Sequence, residues 1–139
     1  MLYVSYGMNS NVNQMTNRCP QAISLGHIVV PDHRLVFRGV ADAVYSVGDT
    51  LQCVLWDITD ECEAALDILE GYPYFYDKKK VKVQFMNVSE EAMMYYMLAD
   101  YSIGNPSSSY LRLLEEGYSD HGLDLRQIYQ AEGFNEYAY

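Results

Sequence analysis

The chain has 139 residues, half of them hydrophobic, and its 9 basic and 19 acidic residues give a formal charge of -10. This length and apolar content predict a single domain over residues 1–139 with its own core. The acidic balance argues against nucleic acid or an anionic membrane as a partner, because both would be repelled.

The cysteines and the hydropathy pattern indicate a cytoplasmic protein. Cys19, Cys53 and Cys62 have no metal-like spacing, and their odd number argues against a disulfide framework. The chain starts without a charged and apolar leader, and no apolar stretch approaches the ~20 residues that span a membrane. We therefore expect no metal site, no membrane partner and a reducing compartment.

The first half of the chain is predicted to hold several strands around one short helix. Leu2–Tyr6 is strand-like, and Asn11 with Gln14 forms a capping-box pattern for a helix that ends at Arg18. The segment 22–56 is rich in Val, Ile, Leu and Phe and is interrupted by turn pairs such as Pro31-Asp32. An antiparallel or barrel-like sheet of several strands is expected there.

A helix is predicted between Thr59, a candidate N-cap, and Gly71, a typical C-terminal stop. It is followed by Pro73, which disfavours helical backbone in the preceding residue and favours an extended exit through four aromatic residues. The helix therefore ends in a stiff aromatic turn.

The second half is predicted to hold a hairpin, two helices and a tail. Val81–Phe85 alternates between apolar and polar residues, and Ala92–Ala99 forms the return strand with core methionines. Helices are expected from Tyr110 to Gly117 and from Asp124 to Gln130, and 132–139 is expected to be a loose C-terminal tail.

Two segments carry the candidate chemistry. Glu70 lies in the last turn of its helix, where the negative end of the helix dipole raises a carboxyl pKa and favours proton transfer. Beside it stand a glycine that admits a ligand and aromatic residues that exclude water. In Tyr3–Asn11, a strand breaks into a Gly/Asn turn that can present backbone N–H groups to a ligand.

Other interpretations of these residues are weaker. Most glutamates are solvated surface residues, and Asp67 beside Glu70 also suggests a paired-carboxylate site of a glycosidase or a metal centre. No further ligand has suitable spacing, and the three histidines are isolated. Cys62 has acids around it, which disfavours a reactive thiolate.

Taken together, the motifs resemble the gamma-glutamylcyclotransferase-like family in their order along nearly the whole chain. The matching segments are Tyr6-Gly7-Met8-Asn9, Arg18-Cys19-Pro20, Val54-Leu55-Trp56, Leu66 to Gly71, and Pro106-Ser107 with Tyr110. The resemblance implies an α+β fold, a small mixed or antiparallel β-barrel edged by short helices, with a pocket at one barrel mouth.

The resemblance also implies a cofactor-independent enzyme that cyclises a γ-glutamyl amide to 5-oxoproline and releases the attached amine. Its small-molecule substrate would meet Glu70 as the general base. The implied substrate-binding residues are Tyr3, Tyr6, Gly7, Met8, Asn9, Tyr76 and Tyr110.

Three positions depart from the family pattern. Met8 stands at the loop serine, Cys53 at a glycine before the Val-Leu-Trp strand, and Lys78 at an arginine after the aromatic turn. The bulk of Met8 leaves open a pocket that binds a small amino-acid-like ligand without turnover. A third alternative is an interaction protein that uses its tyrosine-rich, acidic surface.

Overall fold

The structure is a computed structural model that describes residues 1–98 and 101–137. The five strands are β1 (Leu2–Ser5), β2 (Ile23–Phe37), β3 (Ala41–Asp57), β4 (Tyr76–Phe85) and β5 (Val88–Met97). The helices are α1 (Val12–Arg18), α2 (Asp60–Glu70), α3 (Ser108–His121) and α4 (Arg126–Tyr137), and a 3-10 turn covers Met8–Ser10.

The strands form one mixed sheet in the order β2-β3-β1-β5-β4. β1 pairs parallel with β5, and the other neighbours pair antiparallel. Within the described residues no backbone ladder joins the outer strands β2 and β4, although Lys79 Nζ lies 2.7 Å from His33 Nε2 across them. The α+β class is therefore confirmed as a five-stranded mixed sheet with helices, whereas the closed barrel is not shown.

Segment 22–56 was predicted to hold several strands, and this is wrong. It forms one long hairpin of β2 and β3, whose register shifts between Pro31 and His33. Asp32 (φ 57°) and Gly48 (φ 87°) face each other there, and the Gly48 N–H donates to Asp32 Oδ1 at 3.0 Å. Residues that adopt positive φ serve bulges as readily as chain reversals, which is why the sequence suggested extra turns.

The predicted helix ends follow local capping chemistry. Asn11 accepts the Gln14 N–H at the start of α1, and Thr59 accepts the Cys62 N–H at the start of α2. α2 ends at Glu70, followed by Gly71 in the left-handed region (φ 65°). These three ends confirm the predictions made from the cap residues.

α3 is longer than predicted because Gly117 is not its end. Ser107 caps the helix at its start, and Gly122 (φ 71°) terminates it. A Cβ on Gly117 would lie 2.6 Å from the backbone nitrogen of Asn11. The glycine therefore permits close packing of α3 on the 3-10 turn instead of stopping the helix.

The C-terminal helix also extends past its predicted end. α4 begins at Arg126 and continues beyond Gln130 to Tyr137. It thus covers 132–137 of the segment predicted to be a loose tail, and residues 138 and 139 lie outside the described residues. Ala99, the predicted end of β5, also lies outside them, and β5 is described to Met97.

A disulfide between Cys19 and Cys62 corrects the expectation from cysteine count. Their Cα atoms lie 5.2 Å apart, within the range that a disulfide spans. The pair joins the end of α1 to the first turn of α2, and the sequence separation of 43 concealed the pairing. Cys53 is buried and free.

The core lies between the sheet and the helices. Val81 and Val83 are buried on one face of β4, as their alternation predicted, and Met93, Met94 and Met97 are buried on β5. Among the described residues, every helix is too short or too polar to cross a lipid bilayer.

Candidate active site

The segments that carry the candidate chemistry meet at one cavity of about 300 Å³. Its wall comes from β1 and the following turn, the end of α2, the start of β4 and one residue of α3. All eight residues predicted for the site lie in that wall: Tyr3, Tyr6, Gly7, Met8, Asn9, Glu70, Tyr76 and Tyr110. The fold thus brings together residues that are up to 107 positions apart, and their roles stay predictions.

The turn after β1 packs closely against its neighbours at a glycine. A Cβ on Gly7 would lie 3.1 Å from Ala41 Cβ and 3.3 Å from the Tyr110 hydroxyl. Buried side chains hold the 3-10 turn that follows. Ser5 Oγ lies 3.1 Å from Ser10 Oγ and accepts the Trp56 indole N–H at 3.0 Å. These contacts hold the turn rigidly against the cavity.

Two backbone N–H groups of this turn are candidates for binding a ligand. Within the described residues, the Gly7 N–H donates to no backbone carbonyl, whereas the Met8 N–H is directed at the Tyr110 hydroxyl oxygen. The Met8 side chain is half-buried in the cavity wall. The turn therefore offers the Gly7 N–H, and the Met8 N–H once a ligand replaces Tyr110, to an oxygen with developing negative charge.

Glu70 is the acid of the cavity. Its Oε1 accepts a hydrogen bond from Asn9 Nδ2 at 3.1 Å. Burial raises the pKa of Glu70, while the charge of Arg18 and the hydrogen bond from Asn9 act in the opposite direction. The sequence argument rested on the helix end, whereas desolvation is the main cause of the raised pKa.

Asn9 links three side chains, those of Glu70, Tyr3 and Arg18, at the centre of the site. Its Nδ2 also donates to the Tyr3 hydroxyl at 2.9 Å, and its Oδ1 accepts from Arg18 Nη1 at 2.7 Å. Arg18 lines the cavity but was not predicted to belong to the site, since a cation in the last turn of α1 is already explained by the helix dipole. The Arg18-Cys19-Pro20 motif is the sequence signal that could have identified it.

Two tyrosines of the wall are fixed by donating to the backbone. The Tyr6 hydroxyl donates to the Tyr95 carbonyl at 2.7 Å, and the Tyr76 hydroxyl donates to the Ala41 carbonyl at 2.6 Å. Both rings are buried. Because their hydroxyl protons are already donated to backbone carbonyls, we expect these residues to shape the cavity and not to donate to a ligand.

Two other tyrosines keep a proton available. Tyr3 accepts from Asn9, and Tyr110 accepts from the Ala41 N–H at 3.0 Å, so neither O–H has a protein acceptor among the described residues. Burial raises the pKa of Tyr110 to about 12 and moves that of Tyr3 upward as well. Both remain protonated at neutral pH and can donate to a bound ligand.

Asp67 does not form the paired-carboxylate site that its spacing suggested. It lies outside the cavity wall, where its Oδ2 accepts from Lys78 Nζ at 3.0 Å and its Oδ1 from the Tyr95 hydroxyl at 2.7 Å. Lys78 also contacts Glu63 at 3.1 Å. Tyr95 lines the cavity and was not predicted. No cluster of three or more His, Cys, Asp or Glu side chains in the described part of the chain is placed to hold a metal ion.

Comparison with protein families gives one match that covers most of the chain. Residues 3–118 match the family described as "Gamma-glutamyl cyclotransferase, AIG2-like". No curated protein matches the sequence.

Solved structures with the same fold include proteins of named and unnamed function. One named "Gamma-glutamyl cyclotransferase" is 24% identical with a TM-score of 0.83, and the match covers 94% of this chain and 85% of that one. An uncharacterised protein from Homo sapiens has the same identity and coverages with a TM-score of 0.81. An AIG2-like protein from Mus musculus is 14% identical with a TM-score of 0.61, over 78% of this chain and 88% of that one. These likenesses show the fold.

Proposed function

This chain belongs to the gamma-glutamyl cyclotransferase, AIG2-like family, and we propose on that basis that it is an enzyme that cyclises a γ-glutamyl amide. The products are 5-oxoproline and the released amine. The observation that carries the proposal is the position of Glu70, a sheltered carboxylate with a raised pKa beside the N–H groups of Gly7 and Met8. We also propose that residues 1–139 form one domain and that the substrate is a diffusible small molecule.

The first step forms a five-membered ring. Glu70 takes a proton from the α-ammonium of the substrate, and the free amine attacks its own γ-carbonyl carbon. A new C–N bond forms while the carbonyl π electrons move to oxygen. The N–H groups of Gly7 and Met8, with the available O–H of Tyr110, would stabilise that oxygen.

The second step expels the attached amine. The electrons on oxygen re-form the carbonyl as the bond to the leaving nitrogen breaks. The ring nitrogen, which carries two hydrogens after the attack, loses one of them as a proton to solvent. Glu70 delivers the proton it took to the leaving nitrogen, so the leaving group departs as a neutral amine, the lactam is neutral and the carboxylate is restored. The reaction consumes no water, and positioned proton transfer of this kind contributes ~10²- to 10⁴-fold to the rate.

Two features of the cavity suit this chemistry. The raised pKa brings Glu70 closer to the operating pH, where one carboxyl group can both accept and return a proton. The enclosing aromatic side chains hold a flexible substrate with its amine near its carbonyl, at ~3 Å, which replaces much of the entropy cost of ring closure.

Met8 favours one alternative, a pocket that binds an amino-acid-like ligand without turnover. The side chain stands where the family has a serine, and it occupies part of the cavity wall. Such a module would retain affinity for γ-glutamyl compounds and release them unchanged.

The test is product formation from a panel of γ-glutamyl amides, which includes γ-glutamyl amino acids and a γ-glutamyl-lysine isopeptide. We expect 5-oxoproline, detected by mass spectrometry, from the wild-type protein and not from Glu70→Gln. Binding without product supports the non-catalytic module. Equal turnover by both proteins removes Glu70 from the mechanism.

A further inference from the structure

Two charged side chains of opposite sign line the active-site cavity. Among the described lining residues these are Glu70 and Arg18, and the others are apolar, aromatic or neutral polar. The proposed mechanism uses Glu70 and leaves Arg18 without a role. A half-buried guanidinium favours an anionic partner, and the charge of Arg18 already acts on Glu70, but within the described residues the hydrogen bond of Arg18 goes to Asn9 and not to that carboxylate.

Arg18 is oriented by the same carboxamide that contacts Glu70. Asn9 Oδ1 accepts from Arg18 Nη1 at 2.7 Å, while Asn9 Nδ2 donates to Glu70 Oε1 at 3.1 Å. The amide thus fixes the cation and the carboxylate at its two ends. A guanidinium has five N–H donors. Within the described residues, the side chain of Arg18 makes one hydrogen bond, to Asn9.

The γ-glutamyl group has a matching pair of charges. If the proposed function holds, the substrate brings an α-ammonium and an α-carboxylate on one carbon atom into the cavity. The ammonium faces Glu70, its proton acceptor. The carboxylate would be repelled by Glu70 and needs a donor on the other side, and a guanidinium binds carboxylates with two parallel hydrogen bonds.

We propose that Arg18 binds the α-carboxylate of the γ-glutamyl group and makes that carboxylate a requirement for substrates. This inference rests on the proposed function and names the group that selects its substrate. The N–H groups of Gly7 and Met8 are then left for the γ-carbonyl oxygen, where negative charge develops. Arg18 is a specificity-determining residue in this scheme and moves no proton.

The test uses two amides of the same amine. One is the γ-glutamyl amide, and the other is the 4-aminobutyryl amide, which keeps the amine and the carbonyl but lacks the α-carboxylate. They cyclise to 5-oxoproline and 2-pyrrolidinone. We expect the wild-type kcat/KM to favour the γ-glutamyl amide by about 10- to 150-fold, the range for hydrogen bonds to a charged group.

Arg18→Gln should reduce that ratio to near one, and Arg18→Lys should retain part of it because the charge remains. The control is Arg112→Gln, an exposed arginine of α3 whose loss should leave the ratio unchanged. Circular dichroism and thermal unfolding establish that each variant is folded. If Arg18→Gln lowers both kcat/KM values equally, Arg18 only supports Asn9 and the inference is overturned.

A binding measurement decides the inference even when nothing turns over. Absence of cyclic product with every γ-glutamyl amide refutes the proposed function by itself. Calorimetry then compares 5-oxoproline with 2-pyrrolidinone. Tighter binding of 5-oxoproline to the wild-type protein, lost in Arg18→Gln, supports the carboxylate site, and equal binding of both lactams overturns it.

Discussion

The active-site cavity and a groove beside α4 each contain an acid and an arginine, but they differ in volume and in how deeply the acid is buried. The α4 groove, lined by residues such as Gln52, Asp124, Arg126 and Gln127, is the larger, about 690 Å³ against about 300 Å³. Asp124 is solvated, and hydrogen bonds from Arg126 lower its pKa. Glu70 is sheltered and its pKa is raised.

From this comparison we infer that burial of the carboxylate, and not cavity size, marks the candidate active site. Arg126 binds Asp124 directly, with Nη2 2.6 Å from Oδ2, and the pair holds the carboxylate in its ionised form. Arg18 contacts Glu70 only through Asn9, so Glu70 keeps a proton affinity that burial has increased. An acid that exchanges protons needs this second arrangement.

The largest expected difference between the regions is catalytic. Glu70→Gln should lower kcat by about 10²- to 10⁴-fold, because the amide cannot accept the proton of the α-ammonium. Asp124→Asn is the matched change in the α4 groove and should leave kcat unchanged. The rate of 5-oxoproline release measures both, and a comparable loss in Asp124→Asn would erase the distinction.

The next largest effect concerns packing of α3 against the turn that carries Asn9. Gly117→Ala should reduce the free energy of unfolding by about 1–3 kcal/mol or more, since the new Cβ meets the backbone of Ser10 and Asn11 at 2.6–2.8 Å. A Cβ added to Gly133, beside the α4 groove, would meet none of the described neighbouring atoms within 4 Å, so Gly133→Ala should stabilise α4 by up to ~1 kcal/mol. Urea unfolding compares the free energies of unfolding of the two variants. Equal values would show that the 3-10 turn moves to accommodate the new Cβ at position 117.

A smaller effect tests the side chain that joins the two regions. The buried Tyr118 hydroxyl donates to the Tyr6 carbonyl at 2.7 Å and accepts from Gln127 Nε2 at 2.9 Å. Tyr118→Phe should cost about 1–3 kcal/mol of unfolding free energy, because buried polar groups lose their partner. Tyr129→Phe removes an exposed hydroxyl of α4 and should leave the urea midpoint unchanged. An unchanged free energy of unfolding in Tyr118→Phe would mean that the Tyr6 carbonyl and the Gln127 amide find other hydrogen-bond partners.

The smallest expected effect is on the pH dependence of the free energy of unfolding, and it has opposite signs for Glu70 and Asp124. The pKa of Glu70 is higher in the folded state, so its contribution is favourable below the unfolded value of ~4.3 and is lost as pH rises through the folded value. Glu70→Gln should therefore stabilise the protein at pH 7 and not at pH 4.

Asp124 reverses that sign. Its pKa is lower in the folded state, so its contribution is present above the unfolded value and is lost as pH falls through the folded one. Asp124→Asn should therefore weaken the protein at pH 7 and have no effect in acid. Urea midpoints at the two pH values provide the measurement, and a common sign for both variants would contradict the assigned environments.

Features set by local chemistry were predictable from the sequence. Asn11, Thr59 and Gly71 mark helix ends because capping depends on a few neighbouring residues. The position of Glu70 at the end of α2 followed from the same signals. The resemblance then placed eight residues around one cavity that local patterns alone could not assemble.

Features set by long-range packing were not predictable. The Cys19–Cys62 disulfide joins helices 43 residues apart, and Arg18 enters the site through the tertiary contact of its side chain with Asn9. Gly117 was predicted to end α3, because the sequence alone does not distinguish a glycine needed for close packing from a glycine that terminates a helix. For the disulfide and for Gly117 the deciding partner is distant in the sequence, and for Arg18 it is a side chain of the preceding turn that only the folded geometry brings into contact.

The pH dependence of kcat/KM for 5-oxoproline release tests the central claim most directly. A buried Glu70 that must accept a proton predicts an acid limb whose midpoint lies above the usual ~4.3 of glutamate. Arg18→Gln should move the midpoint further upward, since the arginine charge lowers the Glu70 pKa. A profile with no acid limb, or with its midpoint at the usual value in both proteins, would contradict the account.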